Sequence, residues 1–289
     1  MEPASVLSDV ACHLGEGPTY DPATSTLFWF DILERRLLET SIAGGPTIIH
    51  ELPIMASALA VIDEGRDLLA CEDGLHVRER ATGRMSLHVR IETGATTTRS
   101  NDCRVHPSGA LWVGTMGRNA EPRAGSIYWY RDGETRLLFP GISIPNSICF
   151  SPAGEIAYFA DTATGIVHRV ALDPETGLPI GEPKTFLDHR GKGSPDGSVT
   201  DRDGLLWNAR FGAGSLDAYA PDGRRVQSIT MPARQVTCPA FAGADFGAMV
   251  VTSAWEHLDE KARERDPMAG MTFVIPSGFR GKPEPRVLL

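Results

Sequence analysis

The stretch from His106 to Thr115 reads HPSG followed by ALWVGT, a tight turn that leads into a short apolar strand. In such a turn, Pro presets the dihedral angle of an early position, Ser bonds to nearby backbone, and Gly takes the left-handed position. The same turn and strand recur along the chain. A repeated unit of this kind has to be considered before any other feature of the fold.

Five further copies of the unit surround this stretch. Their turns and strands read DPAT then LFWFD from Asp21, DEG then DLLACED from Asp63, SPAG then EIAYFAD from Ser151, DRDG then LLWNAR from Asp201, and GAD then FGAMVVTS from Gly243. Spacings of roughly 40 to 50 residues suit a four-stranded propeller blade. Six copies therefore predict an all-β protein, a six-bladed β-propeller, formed as a single domain by residues 1–289.

Two peripheral segments complete this prediction. The apolar segment Val6 to Cys12 is in a position to add a strand to the last blade, which would close the ring. A mostly polar stretch, Trp255 to Arg265, predicts a short surface helix within a loop. A parallel α/β fold is excluded because the regular amphipathic helices that it needs between strands are missing.

The composition excludes several classes of partner. With 28 Lys and Arg against 37 Asp and Glu, the formal net charge is −9, whereas nucleic acids and anionic membranes bind basic faces. No run reaches the ~18 apolar residues of a membrane span. The five cysteines are scattered without a C-x-x-C pair, which predicts buried, reduced thiols in a cytoplasmic protein.

Four polar residues fall at equivalent points of different copies: Glu16, Asn101, Asn146 and Asp196 each lie ten or eleven residues before a repeated strand. Equivalent positions of radially arranged blades converge on one axis. Two carboxylates and two amides would then direct oxygen atoms at one spot, which outlines a site for a hard cation. The matching positions of the second and sixth copies are Ser57 and Thr237, small neutral residues that would leave room for water or substrate.

A structural explanation competes with this one. Taken singly, a polar residue at the start of a strand often only satisfies local backbone groups. The four residues together favour a cation site, because burying two carboxylates near one axis is costly without a compensating cation.

The stretches GEGP at Gly15, RSND at Arg99, GTM at Gly114 and PDG at Pro195, in this order and spacing, resemble the regucalcin and gluconolactonase family, also called the senescence marker protein family. The resemblance implies a six-bladed propeller with one divalent cation on its axis. It implies Glu16, Asn146 and Asp196 as metal ligands, and it implies that Arg99, Asn101 and Glu121 contact a sugar lactone. Where the family commonly has Gly after the ligand Asn, this chain has Ser147.

The resemblance predicts a metal-dependent hydrolase that opens the ester of an aldonolactone such as glucono-, xylono- or arabinono-lactone. The cation would be the Lewis acid and Asp196 the general base for the attacking water. An all-oxygen shell favours Ca, Mg or Mn, and Zn and Fe stay open. The alternatives are a calcium-binding regulatory propeller without turnover and a scaffold that binds another protein. The sequence leaves the physiological lactone and the oligomeric state undetermined.

Overall fold

The computed structural model describes residues 3–92, 97–191, 193–276 and 278–289. The described residues form 24 strands and one short helix. The strands divide into six antiparallel sheets of four strands each. The predicted six-bladed β-propeller is confirmed.

Each of the first five blades is a meander of four consecutive strands. Blade I consists of β2 (Gly15–Asp21), β3 (Thr26–Asp31), β4 (Arg36–Ser41) and β5 (Ile48–Glu51). Blade II consists of β6 (Ala56–Val61), β7 (Arg66–Cys71), β8 (Gly74–Glu79) and β9 (Met85–Val89). Blade III consists of β10 (Thr98–Val105), β11 (Leu111–Gly117), β12 (Gly125–Arg131) and β13 (Glu134–Ile142).

Blades IV and V follow the same order of strands. Blade IV consists of β14 (Pro145–Phe150), β15 (Ile156–Asp161), β16 (Ile166–Ala171) and β17 (Lys184–Asp188). Blade V consists of β18 (Ser194–Thr200), β19 (Leu206–Phe211), β20 (Ser215–Tyr219) and β21 (Arg225–Thr230).

Blade VI is assembled from both ends of the chain. It consists of β22 (Val236–Ala242), β23 (Ala248–Ser253), β24 (Thr272–Pro276) and, as the outermost strand, β1 (Ser5–Ser8). The predicted N-terminal strand is added to the last blade, over Ser5–Ser8 instead of the whole predicted segment Val6 to Cys12. The predicted helix is also present but shorter than expected: α1 covers Glu260–Arg265, with the Asp259 carboxylate accepting a hydrogen bond from the Ala262 backbone N–H at 2.7 Å.

The inner strands of neighbouring blades pack around the central axis in the closed order β2, β6, β10, β14, β18, β22 and β2. One apolar cluster fills each of the six interfaces between blades. Trp29, Trp112 and Trp207 are fully buried in these clusters. All five cysteines are buried free thiols. In the described parts of the chain, no helix has the length and apolar character required to cross a bilayer.

The C-terminal segment 278–289, here called the strap, crosses one end of the central channel. It is tied to blade VI by the Gly281 N–H, which donates to the Phe246 carbonyl, and to blade II by the Val287 N–H, which donates to the Val61 carbonyl at 3.0 Å. Beneath it, Arg104 of β10 forms an ion pair of 2.8 Å with Glu284. Cavities of only about 20 and 10 Å³ remain between the strap and the inner strands. The strap therefore obstructs this end of the channel.

A β-bulge interrupts each inner strand at the same place. The register with the second strand shifts between Glu16 and Thr19 in β2, between Ser100 and Cys103 in β10, and between Pro195 and Ser198 in β18, and likewise in β6, β14 and β22. A bulge bends the strand and redirects a side chain out of the regular alternation. The predicted site residues therefore lie where the fold turns side chains toward the open end of the channel.

Candidate functional site

A cavity of about 520 Å³ occupies the end of the channel opposite the strap. Its lining comes from blades I, III, IV, V and VI, and it includes Glu16, Arg99, Asn101, Asn146 and Asp196. Five of the six residues predicted for the site thus meet around one space. Pockets for small ligands are typically of this size, and a few polar groups fix the ligand within them.

Two carboxylates lie at the bottom of this cavity. Glu16 is 8% exposed and Asp196 is 5% exposed. Among the described residues, neither carboxylate forms a salt bridge or accepts a hydrogen bond from another side chain; Glu16 Oε2 accepts only from the backbone N–H of Gly17, at 3.1 Å. Two buried acids without a cationic partner are an arrangement that a folded protein rarely keeps unless a cation joins them.

The pKa values of this pair reflect the missing counter-charge. The pKa of Glu16 is raised to about 8, chiefly by burial and then by the charge of Asp102, with a smaller contribution from Glu256; the Gly17 N–H and Arg99 act in the opposite direction. Burial, and then the charge of Glu16, raise the pKa of Asp196 well above its ordinary range. A divalent cation between the two carboxylates would reverse both shifts by stabilising the charged forms.

The two amides do not both present oxygen, contrary to the expectation from the sequence. The Arg99 guanidinium Nη1 donates to Asn101 Oδ1 at 2.8 Å, and Asn101 Nδ2 donates to Asn146 Oδ1 at 3.1 Å and to the Pro145 carbonyl at 2.9 Å. Because a guanidinium can only donate, it fixes which atom of the Asn101 amide is the oxygen. Asn101 therefore directs its nitrogen toward Asn146, and three oxygen-bearing side chains remain as ligand candidates: Glu16, Asn146 and Asp196.

The orientation of the Asn146 amide is fixed by the Thr162 hydroxyl, in the turn that follows β15. Thr162 Oγ1 donates its only hydrogen to the Pro195 carbonyl at 2.7 Å, so toward Asn146 it can only accept. It accepts from Asn146 Nδ2 at 2.9 Å. The oxygen of Asn146 is consequently held on the side of Asn101, where it is available to a ligand in the cavity.

Thr162→Val is expected to weaken the binding of a divalent cation by about tenfold, because the Asn146 amide would lose the contact that fixes its orientation. Calorimetric titration of the metal-free protein with Ca²⁺ or Mn²⁺ measures this change. Thr162→Ser, which keeps the hydroxyl, should bind the cation as the wild type does. Equal affinity of the Val variant and the wild type would contradict the role of Thr162, provided that both melt at similar temperatures.

Ser147 explains how the chain tolerates a residue other than Gly after Asn146. Its φ of 58° lies in the left-handed region, which costs a non-glycine residue roughly 1 kcal/mol or more. The fully buried Ser147 hydroxyl donates to the Asp196 carbonyl at 2.6 Å and accepts from Asn208 Nδ2 at 3.1 Å. These bonds offset the strain, and they connect the backbone beside Asn146 to the backbone of Asp196.

Residues 14–255 match the family described as SMP-30/Gluconolactonase/LRE-like region. The chain belongs to this family. Members whose names describe an activity include the L-arabinolactonase of Azospirillum brasilense, 33% identical over 286 residues, with 96% of this chain and 93% of the relative covered. The pentonolactonase XacC of Haloferax volcanii is 32% identical over 283 residues, with 96% and 95% covered.

A solved structure of the same family superposes closely on this chain. It is the crystal structure of a calcium-binding protein, regucalcin, from Agrobacterium tumefaciens, with a TM-score of 0.97 and 49% sequence identity. The match covers 99% of this chain and 98% of that chain. The SMP-30/gluconolactonase fold of this protein therefore extends beyond the matched region to essentially its whole length.

In this SMP-30/gluconolactonase family member, the Arg99 guanidinium has N–H donors that the described residues do not use. It is 5% exposed, its Nη1 donates to the Ser100 carbonyl and to Asn101, and its buried Nε has no hydrogen-bond partner among the described residues. Unmatched donors on a buried guanidinium beside a cavity are suited to binding ligand oxygens.

Glu121 lies in the loop that forms the cavity rim, but it does not line the cavity. The residue is exposed, and its carboxylate accepts from the backbone N–H of Asn119 at 3.1 Å and from Asn119 Nδ2 at 2.9 Å. These bonds lower the pKa of Glu121. Its contact with a substrate stays a prediction, and in this arrangement it would require that Glu121 release Asn119.

The sequence suggested that Ser57 and Thr237 would leave room for water or substrate in the cavity. In the structure they do not. Both are buried, and their hydroxyls donate to backbone carbonyls of the neighbouring inner strands: Ser57 to Asn101 at 2.6 Å, and Thr237 to Gly15. A small side chain at the bulge thus joins two blades instead of widening the site.

Sequence reasoning missed several residues of the cavity wall. They are Met116, Arg118, Asn119, Thr162, Phe211, Glu256 and His257. All except Glu256 and His257 lie on the second strand of a blade or in the connection that follows it, positions that comparison of the first strands alone does not reveal. Glu256 and His257 belong to the segment between β23 and β24 that has no equivalent in the other blades.

The residues present fit a cation site of one amide and two carboxylates. No group of three or more His, Cys, Asp or Glu side chains arranged to hold a metal occurs in the described residues. The set formed by Glu16, Asn146 and Asp196 contains only two such residues, and its donors are all oxygen. Oxygen donors suit Ca²⁺, Mg²⁺ and Mn²⁺.

Proposed function

We propose that this protein is a divalent-metal-dependent lactonase that hydrolyses the ester of a sugar-acid lactone, such as glucono-, xylono- or arabinono-lactone. The observation that carries the proposal is the pair of buried carboxylates, Glu16 and Asp196, which have no cationic partner among the described residues and lie in a cavity of ligand size. The names of the lactonase relatives support the same reaction class.

Each residue has a separate role in this proposal. Glu16, Asn146 and Asp196 would hold the cation, which when bound supplies a Lewis acid for the lactone carbonyl. An Asp196 carboxylate oxygen accepts the proton of the attacking water. Thr162 and Asn101 keep the Asn146 oxygen in place.

The Arg99 guanidinium and Glu121 of the cavity rim would position the substrate. The unmatched Arg99 donors bind oxygens of the sugar ring, which fixes the ester relative to Asp196. Asn101 Nδ2 donates to the Pro145 carbonyl and to Asn146 Oδ1, so both amide hydrogens are used within the protein. Asn101 therefore contributes mainly by orienting Asn146. Glu121 would accept from a hydroxyl of a lactone that displaces Asn119.

The test is a panel of glucono-, xylono- and arabinono-lactones assayed by proton release. The protein is first freed of metal with a chelator and then reloaded with Ca²⁺, Mg²⁺, Mn²⁺, Zn²⁺ or Fe²⁺. We expect hydrolysis above the spontaneous rate only in reloaded samples, and none by the reloaded variant Glu16→Gln. Hydrolysis at equal rates with and without metal would refute the metal-dependent assignment.

A calcium-binding propeller without turnover is the second candidate, because the Agrobacterium tumefaciens neighbour is described as a calcium-binding protein. It predicts Ca²⁺ binding that depends on Glu16 and Asp196 together with no hydrolysis of any lactone in the panel. The same experiment therefore separates the two candidates.

A further inference from the structure

Glu256 is a third acidic residue of the cavity wall. Its position is fixed by its backbone: the Glu256 N–H donates to the His13 carbonyl at 3.0 Å, and its own carbonyl accepts from Gln235 Nε2 at 2.9 Å. The preceding ring of Trp255 stacks on His13 with 3.9 Å between ring centroids. The Glu256 side chain is 23% exposed, and its Oε1 lies 3.7 Å from Nε2 of His257, which also lines the cavity.

The Glu256 carboxylate acts electrostatically on the centre of the site. Its charge contributes to the raised pKa of Glu16 and of Asp196, and it favours the charged form of Arg99. It lies near the proposed cation site without belonging to the three oxygen ligands proposed there. A carboxylate in this place adds negative charge to a cavity that already contains two acids.

The charges of the side chains that line the loaded cavity balance only when Glu256 is included. Asp102, whose charge also acts on Glu16 and Asp196, lies outside this lining and interacts electrostatically with Arg104. A divalent cation and Arg99 together carry three positive charges, and Glu16, Asp196 and Glu256 carry three negative charges. The remaining fully charged residue of the described lining, Arg118, is paired with Glu72 at 2.6 Å. The loaded site is therefore close to neutral, which matches a neutral lactone.

Hydrolysis changes the charge of the bound molecule. Water adds across the ester, the ring C–O bond breaks, and the neutral lactone becomes a hydroxy acid that loses a proton to form an aldonate anion at neutral pH. A cation site with Arg99 beside it would hold this anion more tightly than the substrate unless a negative charge opposes it.

We propose that Glu256 is the residue that prevents retention of the product: its carboxylate repels the aldonate and keeps the site selective for uncharged lactones. The inference rests on the proposed lactonase function. It deepens that function by giving a role to a residue outside the metal and substrate contacts implied by the family resemblance.

Glu256→Gln tests the proposal because it removes the charge and nearly keeps the shape. We expect D-gluconate to bind the metal-loaded variant about tenfold more tightly than the wild type, the effect of one partly screened charge at short range. Calorimetric titration measures this affinity, and gluconate inhibition of glucono-lactone hydrolysis should strengthen in parallel. The KM for the uncharged lactone should change by less than about threefold, because a neutral ligand gains little from the removed charge.

Two further variants serve as controls. Glu256→Asp keeps the charge and should bind gluconate as weakly as the wild type does. Glu264→Gln, at an exposed position of α1 outside the cavity, should also behave as the wild type. Unchanged gluconate affinity in Glu256→Gln would overturn the proposal, as would a loss of metal affinity, which would make Glu256 a ligand.

The two proposals fail in different ways. If the wild type hydrolyses no lactone of the panel, the proposed function fails and this inference with it. If lactones are hydrolysed and Glu256→Gln binds gluconate as the wild type does, only the inference fails.

Discussion

Replacing Asp196 by Asn is expected to lower kcat/KM for the preferred lactone by about 10³-fold and to weaken metal binding, because this residue has two proposed roles. As general base, its carboxylate accepts the proton from water; as ligand, it supplies negative charge to the cation. An amide of the same shape can do neither. Steady-state kinetics at saturating metal concentration and calorimetric metal titration measure the two effects separately.

The matched control is Asp203→Asn in the same blade, an exposed turn residue outside the cavity, which should retain wild-type kinetics. Both variants should fold, since Asn at position 196 removes an unfavourable buried charge. An Asp196→Asn variant with wild-type turnover would show that the proton acceptor is another group. A variant that binds metal normally but turns over slowly would leave Asp196 as a base without a ligand role.

Removal of the divalent cation is expected to destabilise the protein, and more so at higher pH. In the metal-free protein the pKa of Glu16 is raised from 4.5 to about 8. An acid whose folded pKa lies above its unfolded value costs no stability below pH 4.5. It costs progressively more as the pH rises toward 8, because the folded state holds a proton that the unfolded state releases. The Tm of metal-free protein should therefore fall between pH 5 and pH 8.

Adding the cation should reverse this loss. At about 100 times its dissociation constant, a bound cation stabilises the folded state by about 2.7 kcal/mol. For a chain of this size, that corresponds to a rise in Tm of roughly 5 °C. The difference in Tm between loaded and metal-free protein should widen from pH 5 to pH 8, as measured by thermal unfolding with and without a chelator. Glu16→Gln should show a much smaller response; an equal response in this variant would place the cation elsewhere.

The repeated turns and strands were sufficient to predict the fold. Each copy, such as HPSG before ALWVGT, specifies its own turn and its own apolar strand, so the pattern is local and visible in the sequence. The ring closure by β1 also followed from an unpartnered apolar segment near the start of the chain. The length of α1 was overestimated because only Glu260–Arg265 continue the helix before Asp266 ends it.

The site was predictable only in part, for a physical reason. Glu16, Asn146 and Asp196 lie within one residue of the same register position on first strands, and register follows from the repeat. The orientation of a side-chain amide does not follow from the repeat. The contact with Arg99 turns the nitrogen of Asn101, and not its oxygen, toward Asn146. Thr162 and Glu256 lie outside the repeated positions, so nothing in the pattern connected them to the site before the blades were placed in space.

The sheet shared by β1 and β24 has a consequence for synthesis on the ribosome. Val6 pairs with Phe273, a residue translated long after it. At roughly 5 to 20 residues per second, the first strand waits about 15 to 50 seconds for its partner. Blades I to V can form as they emerge, but the circle stays open until β24 has been translated. During that interval the nascent chain exposes two unpaired edges, and this is when binding by a chaperone would matter most.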